Sequence, residues 1–469
     1  MSGRFSRFAL ASASPIRTLP AAGGAEKSSL APGFPPKSPR DYQDAHMKLL
    51  VFAHTPPPHH GQSYMVELML QNFGGDRRGG RPGRPPAFAF ECYHVNARFS
   101  KTLEDIGKFQ GGKIFLILWY CLQAIWCRLR YGVTNFYYVP APGKRVAVYR
   151  DWLILCLCRP FFKRTIFHWH AAGLAKWIET SVQIRTRSLN YHWFKQADLS
   201  IVISQYNVAD AEKLRPRKIR IVSNGIPDPC ADYVSAVRPR RLVRLAVRNQ
   251  LLAGGTPAPA ELAAAGDQPH TFKVLFLAHN TREKGLFAAA AGLALANAAL
   301  AARNAPVRMK LYVAGSFVSA AEQDEFDRLR RAPEFSGTLE HLGFVFGPEK
   351  DRILRTADAF CFPTLYLGEN QPVNLIEAMA YGLPIVTTRW RSLPEMFPPA
   401  YPGLVQNQAP EAIATALLTL LASPAGEQLR ENFLNRFTLQ HHLEHLAAAL
   451  HELENNPAAP GRILTLAPD

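Results

Sequence analysis

Apolar residues along the chain fall in short continuous runs, separated by stretches with a helical period, and this alternation occurs twice. In the first half the runs Met47 to His54, Asn135 to Val139, Arg164 to His170, Ser200 to Ser204 and Lys218 to Val222 predict buried strands. A helical pattern (Tyr64, Val66, Leu68, Met69, Leu70, Phe73) follows the loop that ends in Gly61, and a second helical segment is expected at 111 to 131. In the second half the predicted strands are 272 to 277, 309 to 314, 339 to 342, 359 to 362 and 385 to 388. Helices are expected to begin at Lys284-Gly285, at Lys350 and near Pro372, and two more at 410 to 422 and 427 to 453 close the chain. Strands apolar on both faces and alternating with helices imply parallel sheets covered on both sides. The predicted fold class is therefore α/β, with two successive Rossmann-like, doubly wound domains.

Local composition sets the expected boundaries. Residues 1–46 are rich in Ser, Ala, Pro, Gly and Arg without an apolar period, and are read as a disordered N-terminal extension. The Met47 strand is so well formed that Met47 is an alternative start. The first domain is expected over 47–229. A Pro/Arg/Ala/Gly-rich linker or insertion, with helix-capable sequence at Leu242 to Leu252 followed by the linker signal Gly254-Gly-Thr-Pro-Ala-Pro, is expected over 230–270, and the second domain over 271–425. Residues 426–455 are expected as C-terminal helix packing back on the first domain, and 456–469 as a tail.

The segment Glu369-Asn-Gln-Pro-Val-Asn-Leu-Ile-Glu377, continuing through Gly382-Leu-Pro384, combines a helix start, a helix stop and two carboxylates. Pro372 suits a first helical position and Gly382 with Pro384 a stop. Free N–H groups and the positive end of the helix dipole lie between the glutamates, a natural seat for a phosphate. Carboxylates beside such a seat accept hydrogen bonds from sugar or ribose hydroxyls. Taken alone, an amphipathic helix with two solvated glutamates is the plainer reading.

Charge narrows the partners. The 54 Lys and Arg against 37 Asp and Glu give a formal net charge of +17, which favours anionic partners. Zinc-finger spacing, aromatic RNA-binding signatures and dense basic runs interleaved with aromatics are lacking, so nucleic acid is not expected. The seven cysteines sit mostly in apolar runs without a C-x-x-C pair and read as reduced core residues of a cytoplasmic protein. No apolar run reaches the ~18 residues of a membrane span. The run Ile114 to Cys127, with Trp119, Tyr120, Trp126, Arg128 and Arg130, reads equally as an interfacial helix or as a buried helix with a basic end.

Doubly wound sheets bind ligands beyond the carboxyl ends of their strands. After the 272 to 277 strand come Ala278-His279-Asn280-Thr281-Arg282-Glu283-Lys284-Gly285, where Lys284 and Arg282 are candidates to neutralise a diphosphate. His168 and His170 are two apart on a predicted strand and share a face, as polar site residues, as a metal pair that lacks a nearby third ligand, or, the commoner outcome, as core or hydrogen-bonded histidines. The chain contains no Asp-x-Asp, the usual carboxylate clamp for a divalent ion on a nucleotide sugar.

These pieces, with Val313-Ala-Gly315, His341-Leu-Gly343-Phe-Val345, Ala357-Asp358-Ala-Phe-Cys-Phe-Pro363-Thr and Ser223-Asn224-Gly225, resemble the GT-B glycosyltransferases of family four, whose signature is E-x7-E. The resemblance covers most of residues 47–455. It implies two domains facing a central cleft, and retaining transfer of a sugar from a nucleotide-diphosphate sugar without a metal or other cofactor. By it, Glu377 holds the ribose hydroxyls and Glu369 contacts the donor sugar. N–H groups around Gln371, Pro372, Val373 and Asn374 meet the distal phosphate and sugar, Lys284 meets the diphosphate, and Val345 the base. His170 is the strand-end histidine near the sugar, and Gly61 belongs to the first loop, where two glycines are common. Where many members carry Gly-Arg this chain has Ala278-His279, so Arg282 or His279 stands in for the second cation.

The expected activity is thus that of a hexosyltransferase acting on a glycan or lipid-linked acceptor in cell-surface, exopolysaccharide or related glycan synthesis. The expected location is the cytoplasm, with peripheral contact to an anionic membrane. A nucleotide-sugar epimerase of the same fold, or a catalytically silent sugar-nucleotide or partner-binding module, are the alternatives.

Overall fold

The computed structural model describes residues 47–57, 60–79, 88, 90–99 and 112–455; the extension at 1–46 and the tail at 456–469 lie outside these. Twelve strands form two six-stranded sheets in which every described pairing is parallel. The first contains β1 (Met47–Ala53), β2 (Phe90–Asn96), β3 (Asn135–Tyr138), β4 (Arg164–Trp169), β5 (Leu199–Val202) and β6 (Ile219–Ile221), in the order β2-β1-β3-β4-β5-β6. The second contains β7 (Thr271–Leu277), β8 (Arg308–Ala314), β9 (Leu339–Gly343), β10 (Ala359–Phe362), β11 (Ile385–Thr388) and β12 (Leu404–Val405), in the order β12-β11-β10-β7-β8-β9. Both are doubly wound α/β sheets, as the alternation of apolar runs and helices predicts.

The two-residue period of a strand explains why these runs are apolar throughout. In β1, Met47, Leu49 and Val51 enter a core shared with the helices Gly61–Asn72 and Leu439–Asn455. Leu50 and Phe52 enter the opposite core, shared with Gly112–Tyr131 and Arg145–Cys158. Each face is closed by helices, so neither can be polar.

The stretch at 230–270, expected as linker or insertion with a helix-capable run at Leu242 to Leu252, is folded. It forms the helices Arg238–Leu252 and Pro259–Ala265 and places Val247, Leu251 and Ala265 in the second core. Its buried Arg244 donates to both carboxylate oxygens of Asp358 (2.9 and 2.8 Å) and to three backbone carbonyls. A charge taken out of water needs such a full set of partners.

The chain crosses between sheets twice, side by side. Ile226 N–H donates to Phe437 O at 3.0 Å and Leu439 N–H to Ile226 O at 2.7 Å. A Cβ on Gly225 would lie 2.3 Å from the Thr438 carbonyl oxygen, so the crossing strands approach as closely as glycine alone allows. Of the expected C-terminal helix, Gly426–Arg436 packs with the second core, and Leu439–Asn455 returns to the first, where Leu446 and Leu450 are fully buried.

Candidate active site

The carboxyl ends of both sheets open on one cleft of about 1440 Å³. From the first domain it is lined by His54 after β1, Gly61, His170 after β4 and Asn224 after β6. From the second come His279 after β7, Lys284, Val345 after β9 and the segment from Glu369 to Glu377.

Lys284 Nζ donates to Glu369 Oε2 at 2.7 Å, and Thr364 Oγ1 donates to the same oxygen at 3.1 Å. The ammonium also lies 4.3 Å from the Tyr366 ring centroid, a cation–π contact on its other side. Gly285, at φ +90, sets this corner: a Cβ there would meet Pro363 O at 2.4 Å. Just over one turn into the helix Val373–Ala380, Glu377 Oε1 accepts from Lys350 Nζ at 2.6 Å. Lys350, in the first turns of the helix Gly347–Thr356, was not among the residues singled out from sequence, since nothing near it marks it as facing Glu377.

The helix that carries Glu377 runs Val373–Ala380, and Pro372 is its extended N-cap (φ −68, ψ 128) rather than its first residue. A proline-restricted φ suits either position, so sequence cannot separate them. The N–H groups of Val373 and Asn374 precede the first intrahelical bond and face the cleft end. Asn374 Nδ2 donates to Leu277 O at 2.8 Å, fixing the helix start to the end of β7. Opposite stands the N-terminus of Gly61–Asn72, capped by His60, and a Cβ on Gly61 would lie 3.4 Å from Val373 Cγ2. Two helix N-termini thus confront one another across the cleft.

Gln371 lines the cleft and also joins the two domains. Its Oε1 accepts from Asn224 N–H and its carbonyl accepts from Asn224 Nδ2, both at 2.9 Å. The neighbouring Asn370 Oδ1 accepts from Ser204 Oγ at 2.9 Å and from Ser392 Oγ at 2.7 Å. Glu395 accepts from the Gln205 and Tyr206 N–H groups, both at 2.8 Å. The contacts between the domains, Asn224–Gln371, Ser204–Asn370 and Glu395 with Gln205 and Tyr206, are not visible as a motif, because each pairs residues more than a hundred positions apart.

His168 and His170 share a face as the strand period predicts, with ring centroids 4.2 Å apart. His168 is buried with Nδ1 on the Tyr137 hydroxyl, and His442, from the returning helix, bonds Ser223 O at 2.7 Å. Burial, then His442, pushes His170 down to about 3. His170 is therefore neutral at ordinary pH, and its Nδ1 has no hydrogen-bond partner.

His279 lines the cleft, held below its usual range by burial and then by Lys284. Arg282, the other candidate for the second cation, turns out of the cleft: it pairs with Glu325 at 2.5 Å and lies over the Phe287 ring at 4.5 Å. Val345 is buried at the cleft wall, between the exposed and mutually stacked rings of Phe344 and Phe346.

Residues 272–423 match the family model described as Glycosyl transferases group 1. No curated protein matches the chain. Among solved structures, sucrose-phosphate synthase of Thermosynechococcus elongatus is similar over 87% of this chain and 99% of its own, with 17% identity and a TM-score of 0.58. An α,α-trehalose-phosphate synthase (UDP-forming) of Burkholderia vietnamiensis covers 88% of this chain and 99% of its own, at 14% identity and TM-score 0.57. Anabaena HepE in complex with UDP and glucose covers 87% of this chain and 100% of its own, at 14% identity and TM-score 0.54. With a group 1 glycosyl transferase region at 272–423 in its second domain and the GT-B fold overall, the chain is a glycosyltransferase.

Proposed function

We propose that the protein transfers a sugar from a nucleotide-diphosphate sugar to a glycan or lipid-linked acceptor, with retention of anomeric configuration and without a metal. The observation that carries this is Lys284 beside Glu369 at a helix N-terminus, in a cleft closed on the other side by a neutral His170. The Anabaena neighbour solved with UDP and glucose lends support to a nucleotide-sugar donor.

In this reading Glu377, steadied by Lys350, accepts hydrogen bonds from the ribose hydroxyls, and Val345 meets the base. Glu369 contacts the donor sugar, and Lys284 the diphosphate. The N–H groups at Val373 and Asn374 face the distal phosphate. Leaving-group charge is then met by a fixed cation and fixed dipoles that need no reorganisation, the arrangement that most lowers such a barrier. The departing phosphate oxygen takes the proton of the incoming hydroxyl on the same face of the sugar, so no protein base is required. Nucleotide sugars should raise the unfolding temperature selectively, and NMR of the product of the protecting donor should show the donor's anomeric configuration. Inversion would overturn the mechanism.

Contact with an anionic membrane, on its cytoplasmic side, belongs to the same reading. The helix Gly112–Tyr131 carries Phe115 (78% exposed), Trp119 (58%) and Leu129 (73%), with Leu118, Leu122 and Trp126, on one exposed stripe ending at Arg128 and Arg130. Such a face beside a basic end suits the boundary between lipid headgroups and acyl chains. Among the described residues no helix is long and apolar enough to cross a membrane.

A further inference from the structure

The two walls of the cleft differ in charge. Its lining carboxylates, Glu283, Glu369 and Glu377, all belong to the second domain, and two of them are paired with Lys284 and Lys350. The first-domain wall carries Arg98, Lys144 and Arg150 and, among the described residues, no carboxylate.

Two of these cations, Arg98 and Lys144, are not consumed by ion pairing, and the third, Arg150, is paired with Asp151. Arg98 Nη2 donates to the Pro56 carbonyl at 2.8 Å, and neither Arg98 nor Lys144 has a described ion-pair partner. Arg150 bonds the fully buried Asp151 through Nε and Nη2 (2.9 and 2.7 Å), while the other Asp151 oxygen accepts the Ala141 N–H at 2.7 Å. Asp151 thus braces Arg150 from beneath. His54, on the same wall, is pushed down to about 3 by burial first, then by His60, with Arg150 and Arg98 adding in the same direction.

The rest of this wall is apolar. Phe99 lies under the Arg150 guanidinium at 4.8 Å, and Ile114 and Ile117 continue the lining. These isoleucines belong to the helix Gly112–Tyr131, and Ile114, which both lines the cleft and is exposed, lies one turn before Leu118 of the exposed stripe.

We infer that the acceptor is an anionic amphiphile, its phosphate held against Arg98, Lys144 and Arg150 and its hydrocarbon chain lying along Phe99, Ile114 and Ile117. The inference rests on the transferase reading above and names its acceptor class. Arg and Lys suit phosphate by charge and hydrogen-bond count, and a chain leaving over Ile114 emerges where the exposed stripe begins.

The test titrates the full chain, saturated with UDP to fill the donor side, with octyl phosphate, inorganic phosphate and octyl glucoside. Octyl phosphate should bind at least about tenfold more tightly than either of the others, since it alone uses both halves of the wall. Arg98→Ala and Lys144→Ala, both at exposed positions, should each weaken it about tenfold. Ile114→Ser should weaken octyl phosphate and leave inorganic phosphate unchanged, and UDP affinity should be unaltered in all three variants. Equal binding of octyl glucoside would remove the phosphate site, equal binding of inorganic phosphate would remove the chain, and indifference to both charge substitutions would overturn the proposal. If UDP fails to protect the wild type, the donor reading falls by itself, and the same titration without UDP still decides the acceptor.

Discussion

Lys284 and Glu369 are joined by a 2.7 Å ion pair although 85 residues separate them. The pair stands at the meeting of the β7 loop, the Gly285 turn and the start of the helix Val373–Ala380, and Thr364 holds the same carboxylate oxygen. A donor diphosphate entering here would take a share of an ammonium whose position is already set, so little ordering cost remains at the moment of bond cleavage.

Lys284→Ala should therefore lower kcat by about 10²–10³, the range for loss of one fixed group that stabilises developing charge. Lys284→Arg should recover little, because a planar guanidinium cannot keep both the Glu369 contact and the face of Tyr366. Steady-state kinetics with the donor found by thermal protection check this, and a wild-type kcat in Lys284→Ala would remove the lysine from the reaction.

Glu377 is predicted to act on binding more than on the chemical step. A hydrogen bond between a carboxylate and ribose hydroxyls is made in ground and transition states alike, so Glu377→Ala should raise the donor KM by about 10–100-fold, from ~1.5–3 kcal/mol. The change in kcat should be much smaller. A 2′-deoxyribonucleotide sugar should bind the wild type weakly and discriminate little in the variant. Lys350→Ala should shift KM in the same direction by less, since it steadies Glu377 from 2.6 Å without meeting the donor.

The strands of both sheets are legible in the sequence because each is sealed on two sides, leaving continuous runs such as Met47–Ala53 and Ala359–Phe362. β2 escapes because Phe90–Asn96 carries Glu91, His94 and Asn96 and follows a Gly/Arg/Pro-rich break. Leu242 to Leu252 is legible as helix, but that Arg238–Leu252 packs into the second domain is not, since its buried face includes Arg244 and Arg248. Both are neutralised by Asp358, more than a hundred residues away, a partner no local pattern reveals. The site divides likewise. The E-x7-E segment, Lys284 and His170 stand at strand ends and can be read from order alone. The exit of Arg282 to Glu325 depends on a helix, Ala320–Arg331, that only the folded chain brings alongside.

The clasp between domains should matter to turnover more than to folding. Glu395 receives two backbone N–H groups of the opposite domain, and a carboxylate accepting such bonds contributes roughly 1.5–3 kcal/mol. Glu395→Ala should open the cleft on average, seen as a larger radius of gyration by small-angle scattering and faster proteolysis near Pro227. A several-fold loss of kcat should follow, with the unfolding temperature lowered by only a few degrees. An unchanged scattering profile would mean that the Asn224–Gln371 and Ser204–Asn370 bonds suffice to hold the cleft.

Membrane contact is checked by sedimentation with vesicles of phosphatidylcholine alone and of equal parts phosphatidylcholine and phosphatidylglycerol. Binding should need the anionic lipid, since each Lys or Arg near such a surface contributes about 1 kcal/mol. Phe115→Glu with Trp119→Glu should abolish it. Each ring removed forfeits ~1.5–3 kcal/mol of burial, and both are already exposed, so the fold should be unaffected. Equal sedimentation of the double variant would move the contact elsewhere on the protein.

The buried histidines predict how stability varies with pH. His442 is 3% exposed and pushed down to about 4, by burial first with the Ser223 carbonyl working the other way; His170 lies near 3 and His168 is also lowered. Unfolded, each regains a value near 6.5, so below that pH the unfolded chain binds protons that the native chain refuses. Stability is untouched by these groups above about pH 6.5. It then falls as the pH drops, by up to about 1.4 kcal/mol per pH unit for His442 alone, and this loss ends near its folded value. Unfolding temperatures measured from pH 7.5 to 4.5 should follow that slope. His442→Gln, which keeps a donor for the Ser223 carbonyl, should lower the unfolding temperature at neutral pH slightly and flatten the acid limb by one histidine's worth. An acid limb as steep as the wild type's would assign the pH dependence to other groups.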